Sequence, residues 1–195
     1  MKTGSCLFLA AAACFIGCGK EERTEAVRLT KVLTEKQTEF ARANTIEGDF
    51  VTNARAWCGG ITASGSGRGT ELEQNAAVAS ELAKSVVAAS AELGRIRQAI
   101  SDQTLTKEYL QGVRSTLITQ LTKRQRMLQE LRALLEHSAP QFLQYQKDKT
   151  YAGDAYPGEV ATLNAFLAAY KGPDDAVGTA LTELKKKYHF SGGEL

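Results

Sequence analysis

The sequence predicts an all-α protein, an elongated antiparallel bundle of three long helices with a small helical C-terminal part. Apolar residues recur every three or four positions over long stretches, as on one face of a helix. Signals that begin or end helices separate these stretches. No stretch alternates apolar and polar residues with period two between hairpin turns, so the sequence gives no support to a sheet.

The first helix is predicted between residues 21 and 57, where charged residues fill the spaces between apolar positions. The apolar positions are Leu29, Val32, Leu33, Phe40, Ala43, Phe50, Ala54 and Trp57. Gly48 and Asp49 interrupt good helix formers. The pattern therefore allows either one bent helix or two helices that abut near this dipeptide.

A loop is predicted over residues 59–69, which are dense in glycine and serine. The run from Thr70 to Glu73 then matches a capping box, in which Thr70 accepts a backbone N–H and Glu73 reaches back to the cap residue. The second helix should accordingly begin at Glu71.

Two long apolar stripes predict a coiled-coil-like helical hairpin. The first contains Leu72, Ala76, Ala79, Leu82, Val86, Ala89, Leu93, Ile96 and Ile100, and the second contains Leu110, Val113, Leu117, Leu121, Leu128, Leu131 and Leu135. Each covers about thirty residues, or about 45–50 Å of helix. Matched lengths and a short break around residues 102–104 favour antiparallel neighbours.

The C-terminal part is assigned to residues 138–195 and is predicted to contain short helices. The run from Ser138 to Gln141 includes Pro140 and can stop the third helix and cap a short new one, although a kinked continuation is the alternative. A further helix should open at Pro157 and end at Gly172.

The last helix should begin around residues 173–175, with acidic residues in its first turn, and close with the lysines at 185–187. That arrangement complements the helix dipole at both ends. Residues 191–195 are expected to fray.

The first eighteen residues read as an export signal. Lys2 supplies a positive charge, an apolar run extends from Leu7 to Ile16, and Gly17-Cys18 follows. The segment from Phe15 to Cys18 resembles the lipobox of bacterial lipoproteins, with Phe15 in place of the usual leucine.

This resemblance implies that residues 1–17 are a signal peptide that is cleaved off and that Cys18 carries the lipid, which includes acyl chains of the palmitate type. The mature chain would be a single helical domain over residues 18–195, bound to a membrane of the bacterial cell envelope. Gly19 resembles the residue after the cysteine in outer-membrane lipoproteins, which favours the outer membrane over the inner.

The charge balance argues against nucleic acid as a partner. The whole chain has 24 basic and 22 acidic residues, and loss of Lys2 with the signal leaves a net charge of +1. Nucleic-acid-binding domains concentrate a basic excess on one face, whereas here both signs are interspersed.

Cys58 would be the one remaining thiol of the mature domain, because Cys6 and Cys14 leave with the signal and Cys18 bears the lipid. Such a cysteine can be buried, form an intermolecular bridge, or be reactive. Trp57-Cys58-Gly59 fits a helix C-terminus with Gly59 as the left-handed terminator and Trp57 packed on a neighbouring helix. Cys58 and Trp57 are nonetheless retained as candidate reactive or interaction residues.

Patterns that carry known chemistry are absent from the sequence. The run Gly65-Ser66-Gly67-Arg68-Gly69 lacks the spacing of phosphate-binding loops. His137 and His189 do not form the Glu-x-x-His pairs of a di-iron bundle, and neither a haem-attachment motif nor a serine elbow occurs. We predict no catalytic residue, no metal and no cofactor, and hence not an enzyme.

Two surface features remain. Aromatic residues are frequent after Pro140 and are expected to pack a core more than to bind a partner; Tyr151 and Tyr156 flank a loop and are the candidates for exposure. A basic stretch on the third helix is expected to be solvated. It comprises Lys123, Arg124, Arg126 and Arg132.

Three functions follow as hypotheses. The first is a lipid-anchored, non-enzymatic interaction or scaffold protein that binds a partner protein or a second copy through its helical seams. The second is a periplasmic ligand-binding or sensory helical module. The third is a redox protein that acts through Cys58.

Overall fold

The computed structural model describes residues 6–64, 70–147 and 158–190, without the side chains of residues 6–18, 62–64, 70–71 and 145–146. Over these residues the protein is a bundle of helices and contains no strand, so the predicted all-α class is confirmed. The helices are α1 (Cys6–Ser64), α2 (Thr70–Ser101), α3 (Glu108–Lys147), α4 (Gly158–Ala169) and α5 (Ala176–Tyr188).

The residues group into two compact units. Unit 1 contains Met1–Gln37, Arg97–Gln120 and Asp175–Leu195, and unit 2 contains Thr38–Ile96 and Leu121–Asp174. The short helices of the predicted C-terminal part therefore separate, because α4 belongs to unit 2 and α5 to unit 1.

The apolar stripes form the core of each unit. In unit 1 the fully buried residues include Leu29, Leu33, Ile100, Leu110 and Val177. In unit 2 they include Phe50, Leu93, Leu128, Leu135 and Phe142. Most stripe positions expected to be buried are buried, and Val32 and Val113 are half-buried.

α1 continues through two dipeptides that contain glycine, Gly48-Asp49 and Gly59-Gly60. It crosses Gly48-Asp49 as one helix, and it crosses Gly59-Gly60 to end at Ser64. The prediction of a loop from residue 59, with Gly59 as a left-handed terminator, is therefore wrong. Ile61 explains the continuation, because its side chain is buried and helical geometry places it on the same face as Trp57 and Cys58.

α3 continues through Pro140, so the helix is continued here and no new short helix begins at residues 138–141. Proline cannot donate the backbone hydrogen bond that would go to the carbonyl of Glu136. Burial of Phe142 in the following turn offsets that loss. α3 thereby reaches 40 residues against 32 in α2, and the predicted match of lengths does not hold.

α5 is capped at both ends. The Asp175 side chain accepts a hydrogen bond from the Gly178 N–H at 3.1 Å, so Asp175 is the N-cap. The prediction of acidic residues in the first turn is wrong, because the helix begins at Ala176 and its first turn contains none. His189 closes the helix in the left-handed conformation (φ 51°), and the predicted lysines occupy the last turn.

A carboxylate of α1 caps the start of α3 within unit 1. Glu25 is 6% exposed and accepts hydrogen bonds from the Thr106 N–H at 2.9 Å, the Thr106 hydroxyl at 2.6 Å and the Lys107 N–H at 3.2 Å. The hydroxyl bond in particular lowers the pKa of Glu25. Because Lys107 immediately precedes α3, Glu25 satisfies the N–H of the cap residue from another helix, as the acid of a capping box does locally.

Glu25→Gln is expected to lower the free energy of unfolding at neutral pH by about 1–3 kcal/mol, because a charged acceptor is replaced by a neutral one. The folded-state pKa of Glu25 lies below its ordinary 4.5. The stability that Glu25 contributes to the folded protein is therefore complete above the ordinary pKa of 4.5 and is lost as the pH falls through the folded-state pKa. Urea unfolding of the variant should show a shallower loss of stability on acidification, whereas Glu21→Gln, at an exposed carboxylate, should behave as wild type.

Candidate interaction groove

Of the predicted site residues, the structure describes Trp57 and Cys58 in full. Cys18 lies in the range of α1, but its side chain is outside the described residues, as are Tyr151 and Tyr156 entirely. The lipid site and the two loop tyrosines therefore stay predictions. Trp57 and Cys58 are described, and both lie in unit 2.

Trp57 and Cys58 are core residues. Trp57 is 9% exposed, donates its indole N–H to the Asn75 side chain at 3.1 Å, and meets Phe142 edge to face with ring centroids 5.9 Å apart. Cys58 is fully buried, and this burial raises the pKa of its thiol to about 11. The thiolate, which is the nucleophile, is therefore disfavoured in the folded protein.

We expect Cys58 in the folded protein to react with iodoacetamide at pH 8 at least about 100-fold more slowly than in urea, since a raised pKa and burial both suppress the reaction. Mass spectrometry of timed samples measures this rate. Equal rates in the folded and unfolded protein would show that the thiol is accessible.

A surface groove runs between α2 and α3 of unit 2, and we call it the α2/α3 groove. Its wider part is a cavity of about 830 Å³, which continues into a narrower one of about 310 Å³ through the shared residues Val87 and Arg132. On the α2 side the lining includes Glu73, Ala76, Ala77, Ser80, Ala83, Lys84, Val87, Ala91 and Gly94, and on the α3 side Gln125, Gln129, Arg132, Glu136, Ala139, Pro140 and Leu143.

Both walls follow from helical spacing in the sequence. On α2 the positions 73, 77, 80, 84, 87, 91 and 94 advance by alternating steps of four and three, as do 125, 129, 132, 136, 139 and 143 on α3. Such steps keep residues on one side of a helix, as in a coiled-coil seam. The groove is thus a second seam beside the buried one.

Small residues give the groove its depth. Ala76, Ala77, Ser80, Ala83 and Ala139 line the wider part, and their short side chains leave the helix backbones accessible to a close neighbour. Val87 and Leu143 each remain about 40% exposed here, although most large apolar residues whose side chains the structure describes are buried. The floor therefore offers apolar surface that the described chain leaves in contact with solvent.

At its narrow end the groove is closed by a contact between the helices. The Gln125 side chain donates to the Ser90 carbonyl at 3.0 Å, and a Cβ added to Gly94 would lie 2.9 Å from the Gln125 amide nitrogen. Gly94 therefore permits the approach that this hydrogen bond requires.

The charges at the groove rim pair along their own helices. Lys84 contacts Glu81 at 2.6 Å, and Arg132 contacts Glu136 at 2.7 Å. These exposed pairs contribute little to stability. They leave the rim close to neutral, which suits an apolar ligand surface more than a highly charged one.

α4 makes its polar contacts with other helices of unit 2. His137 on α3 contacts Glu159 at 2.6 Å, and Arg55 on α1 donates to the carbonyls of Leu167 at 2.7 Å and Tyr170 at 2.9 Å. α4 therefore covers the side formed by α1 and α3.

A buried polar network lies elsewhere in unit 2. Arg124 donates from Nε to Glu47 at 2.6 Å, with exposures of 6% and 1% for the two side chains, and the other Glu47 oxygen accepts the Tyr170 hydroxyl. The Arg124 guanidinium lies 5.4 Å from the centroid of the Phe40 ring. Burial, with the hydrogen bond to Glu47, raises the pKa of Tyr170 above its ordinary value.

Burial of Arg124 contradicts its assignment to a solvated basic stretch, whereas Lys123, Arg126 and Arg132 are exposed as expected. The two terminal nitrogens of Arg124 are buried and have no hydrogen-bond partner among the described residues. A bound acceptor, such as water or a carbonyl oxygen, would satisfy them.

The described residues contain no cluster of three or more side chains suited to hold a metal ion. Within the same residues, each helix is too short or too polar to cross a bilayer. Searches of family models, curated proteins and solved structures find no match to this chain. The groove and the buried network are thus interpreted from their geometry alone.

The groove and the network escaped the sequence analysis for different reasons. The four-three spacing of the groove residues is visible in the sequence. The residues at these positions are mostly alanine, serine and charged residues, so they do not form an apolar stripe. Arg124 continues the stripe from Leu121 to Leu128, and Glu47 continues the stripe from Ala43 to Phe50. A charged residue at a stripe position was the available signal for a buried pair.

Proposed function

We propose that this protein is a lipid-anchored, non-enzymatic interaction protein of the bacterial cell envelope, which binds a helix of another protein in its α2/α3 groove. The groove is the observation that supports the interaction role. The lipobox resemblance at residues 15–18 supports the anchor at Cys18, and Gly19 favours the outer membrane.

The shape of the groove favours a helix as the occupant. From residue 73 to residue 94 it follows α2 for about 32 Å, the length of a helix of about 21 residues. Two rows of small residues with coiled-coil spacing can receive the apolar stripe of a third helix. Val87 and Leu143 would supply the larger apolar contacts.

A partner protein fits the groove better than a small molecule does. Its polar groups are mostly paired along their own helices, whereas a small-molecule site needs polar groups that converge on the ligand. The ligand-binding alternative has its support in Arg124, whose unsatisfied nitrogens could hold a carbonyl or carboxylate oxygen. The Cys58 redox alternative is disfavoured by the burial of the thiol.

Site-specific photo-cross-linking tests the groove in living cells. A photoreactive phenylalanine analogue replaces Ala77 in the groove or, as a control, Val78, which is 39% exposed on α2, points about 100° away from Ala77 and does not line the groove. We expect Ala77 to cross-link to a helical segment of another protein and Val78 to yield none of that product.

Ala77→Trp should reduce capture of the same partner at least about tenfold, because the indole would fill the groove, and Val78→Trp should leave capture unchanged. Circular dichroism should confirm that both variants fold. A cross-link only between copies of this chain would replace the partner by self-association, and equal behaviour of the two positions would overturn the groove as a binding site.

A further inference from the structure

We propose that the end of unit 1 nearest Cys18 docks on the headgroups of an anionic bilayer through aromatic and basic side chains. The inference rests on the proposed lipid anchor at Cys18. It adds a second contact with the membrane, made by the folded protein itself.

The aromatic part of this surface comes from three segments of unit 1. Tyr109 lies in the first turn of α3, Tyr188 ends α5, and Phe190 lies two residues beyond Tyr188. Their rings form one cluster, with centroids 6.4 Å apart for Tyr109 and Tyr188 and 5.7 Å apart for Tyr188 and Phe190. Tyr109 is 37% exposed, which is unusual for a large side chain of this protein.

Cations lie over these rings. The Lys187 ammonium is 3.1 Å from the centroid of Tyr109, and the Arg23 guanidinium is 5.3 Å from that of Phe190. Rings that carry a polar tip, combined with lysine and arginine, are the composition that proteins place at the bilayer–water interface.

Two further lysines add positive charge to this surface. Lys20 and Lys186 are exposed and form no ion pair within the described part of the chain. Lys107 and Lys187, in contrast, contact Glu21 at 3.0 Å and Glu22 at 4.0 Å. The unpaired lysines are therefore available to lipid phosphates.

The connection to Cys18 brings this surface to the membrane. α1 is helical from before Cys18 onward, and its first contacts with the rest of unit 1 follow at once. Glu22 accepts the Tyr188 hydroxyl at 2.5 Å, and Arg23 donates to the Tyr188 carbonyl at 2.6 Å. At about 1.5 Å per residue these contacts lie about 6–8 Å along the helix from Cys18.

That distance matches the headgroup layer, which is about 5–8 Å thick on each side of a bilayer. It also falls within the Debye length of about 8 Å at physiological salt. A lipidated Cys18 in this layer would hold Tyr109, Phe190 and the lysines beside the headgroups. A flexible linker that could carry unit 1 away from the membrane is not present between Cys18 and Glu22, because the segment is helical.

Depth-dependent fluorescence quenching tests the docking. The full chain, extracted with its lipid, is reconstituted in vesicles of phosphatidylglycerol and phosphatidylcholine, with bromine on the acyl carbons closest to the headgroup of one lipid or the other. Tyr109→Trp supplies the probe, and Thr179→Trp at the opposite end of α5 is the control. The emission of Trp57, measured in the unsubstituted protein, is subtracted.

We expect brominated phosphatidylglycerol to quench the probe at position 109 at least about twofold more than the probe at 179, because bromine reports contact at the depth of the interface. Lys186→Glu should reduce this difference, whereas Lys31→Glu, an equal charge change about 20 Å along α1 from Cys18, should not. Equal quenching at both positions in a lipidated protein would overturn the docking and leave the anchor standing. Absence of lipid on Cys18 by mass spectrometry would overturn the anchor, and the docking with it.

Discussion

Arg124→Ala is expected to lower the free energy of unfolding by about 3–5 kcal/mol, since it leaves the Glu47 carboxylate buried without its cation. Both members of this pair are more than nine-tenths buried, and the Tyr170 hydroxyl supplies the remaining hydrogen bond to Glu47. Chemical denaturation followed by circular dichroism measures the loss. The unfolding transition should move to lower denaturant concentration.

Arg126→Ala is the matched control, two residues further along α3. Arg126 is 81% exposed and pairs with Glu130 within its own helix at 3.1 Å, so its loss should change stability by less than about 0.5 kcal/mol. The double variant Glu47→Leu/Arg124→Met should recover most of the stability, because it removes both charges at similar volume. Equal effects of Arg124→Ala and Arg126→Ala would contradict the buried pair.

Phe142→Ala is expected to cost about 3–5 kcal/mol, the range for removal of a fully buried aromatic side chain. Phe142 is 0% exposed and lies edge to face with Trp57. The emission of Trp57 should also shift to longer wavelength, because the substitution opens space beside the indole.

Leu143→Ala, the neighbouring position, provides the comparison. Leu143 is 40% exposed in the α2/α3 groove, so its removal should cost less than about 1 kcal/mol. The contrast between adjacent residues depends on α3 remaining helical after Pro140. Similar losses for both variants would mean that the last turns of α3 are oriented differently.

The sequence predicts the buried faces well because helical spacing is a local property. Leu29, Leu33, Leu110 and Leu128 are fully buried where their stripes place them. Element ends are harder, because intrinsic preferences of about 1 kcal/mol for glycine and about 3 for proline compete with tertiary burial. Ile61 and Phe142 are buried beyond Gly60 and Pro140, and burial of these large side chains offsets the local penalties.

The sites depend on partners that are distant in sequence. Glu47 and Arg124 are 77 residues apart, and Tyr170 and Glu47 are 123 residues apart, so neither local spacing nor composition identifies the network. The α2/α3 groove similarly requires the register of two helices. The four-three spacing of both walls is present in the sequence without an apolar signal, and only packing shows that the two walls face one gap.

Unit 1 is assembled from the beginning, the middle and the end of the chain, and this arrangement determines the order in which the two units can fold. All of its segments are present only after α5 has been made, since Tyr188 meets Glu22 across 166 residues. Every segment of unit 2 precedes Asp175. Contacts over long sequence separations form slowly, and synthesis runs from the N-terminus. Unit 2 can therefore fold before the last helix of unit 1 has been made. A chain stopped short of α5 would retain the residues of unit 2 and lose those that complete the end nearest Cys18.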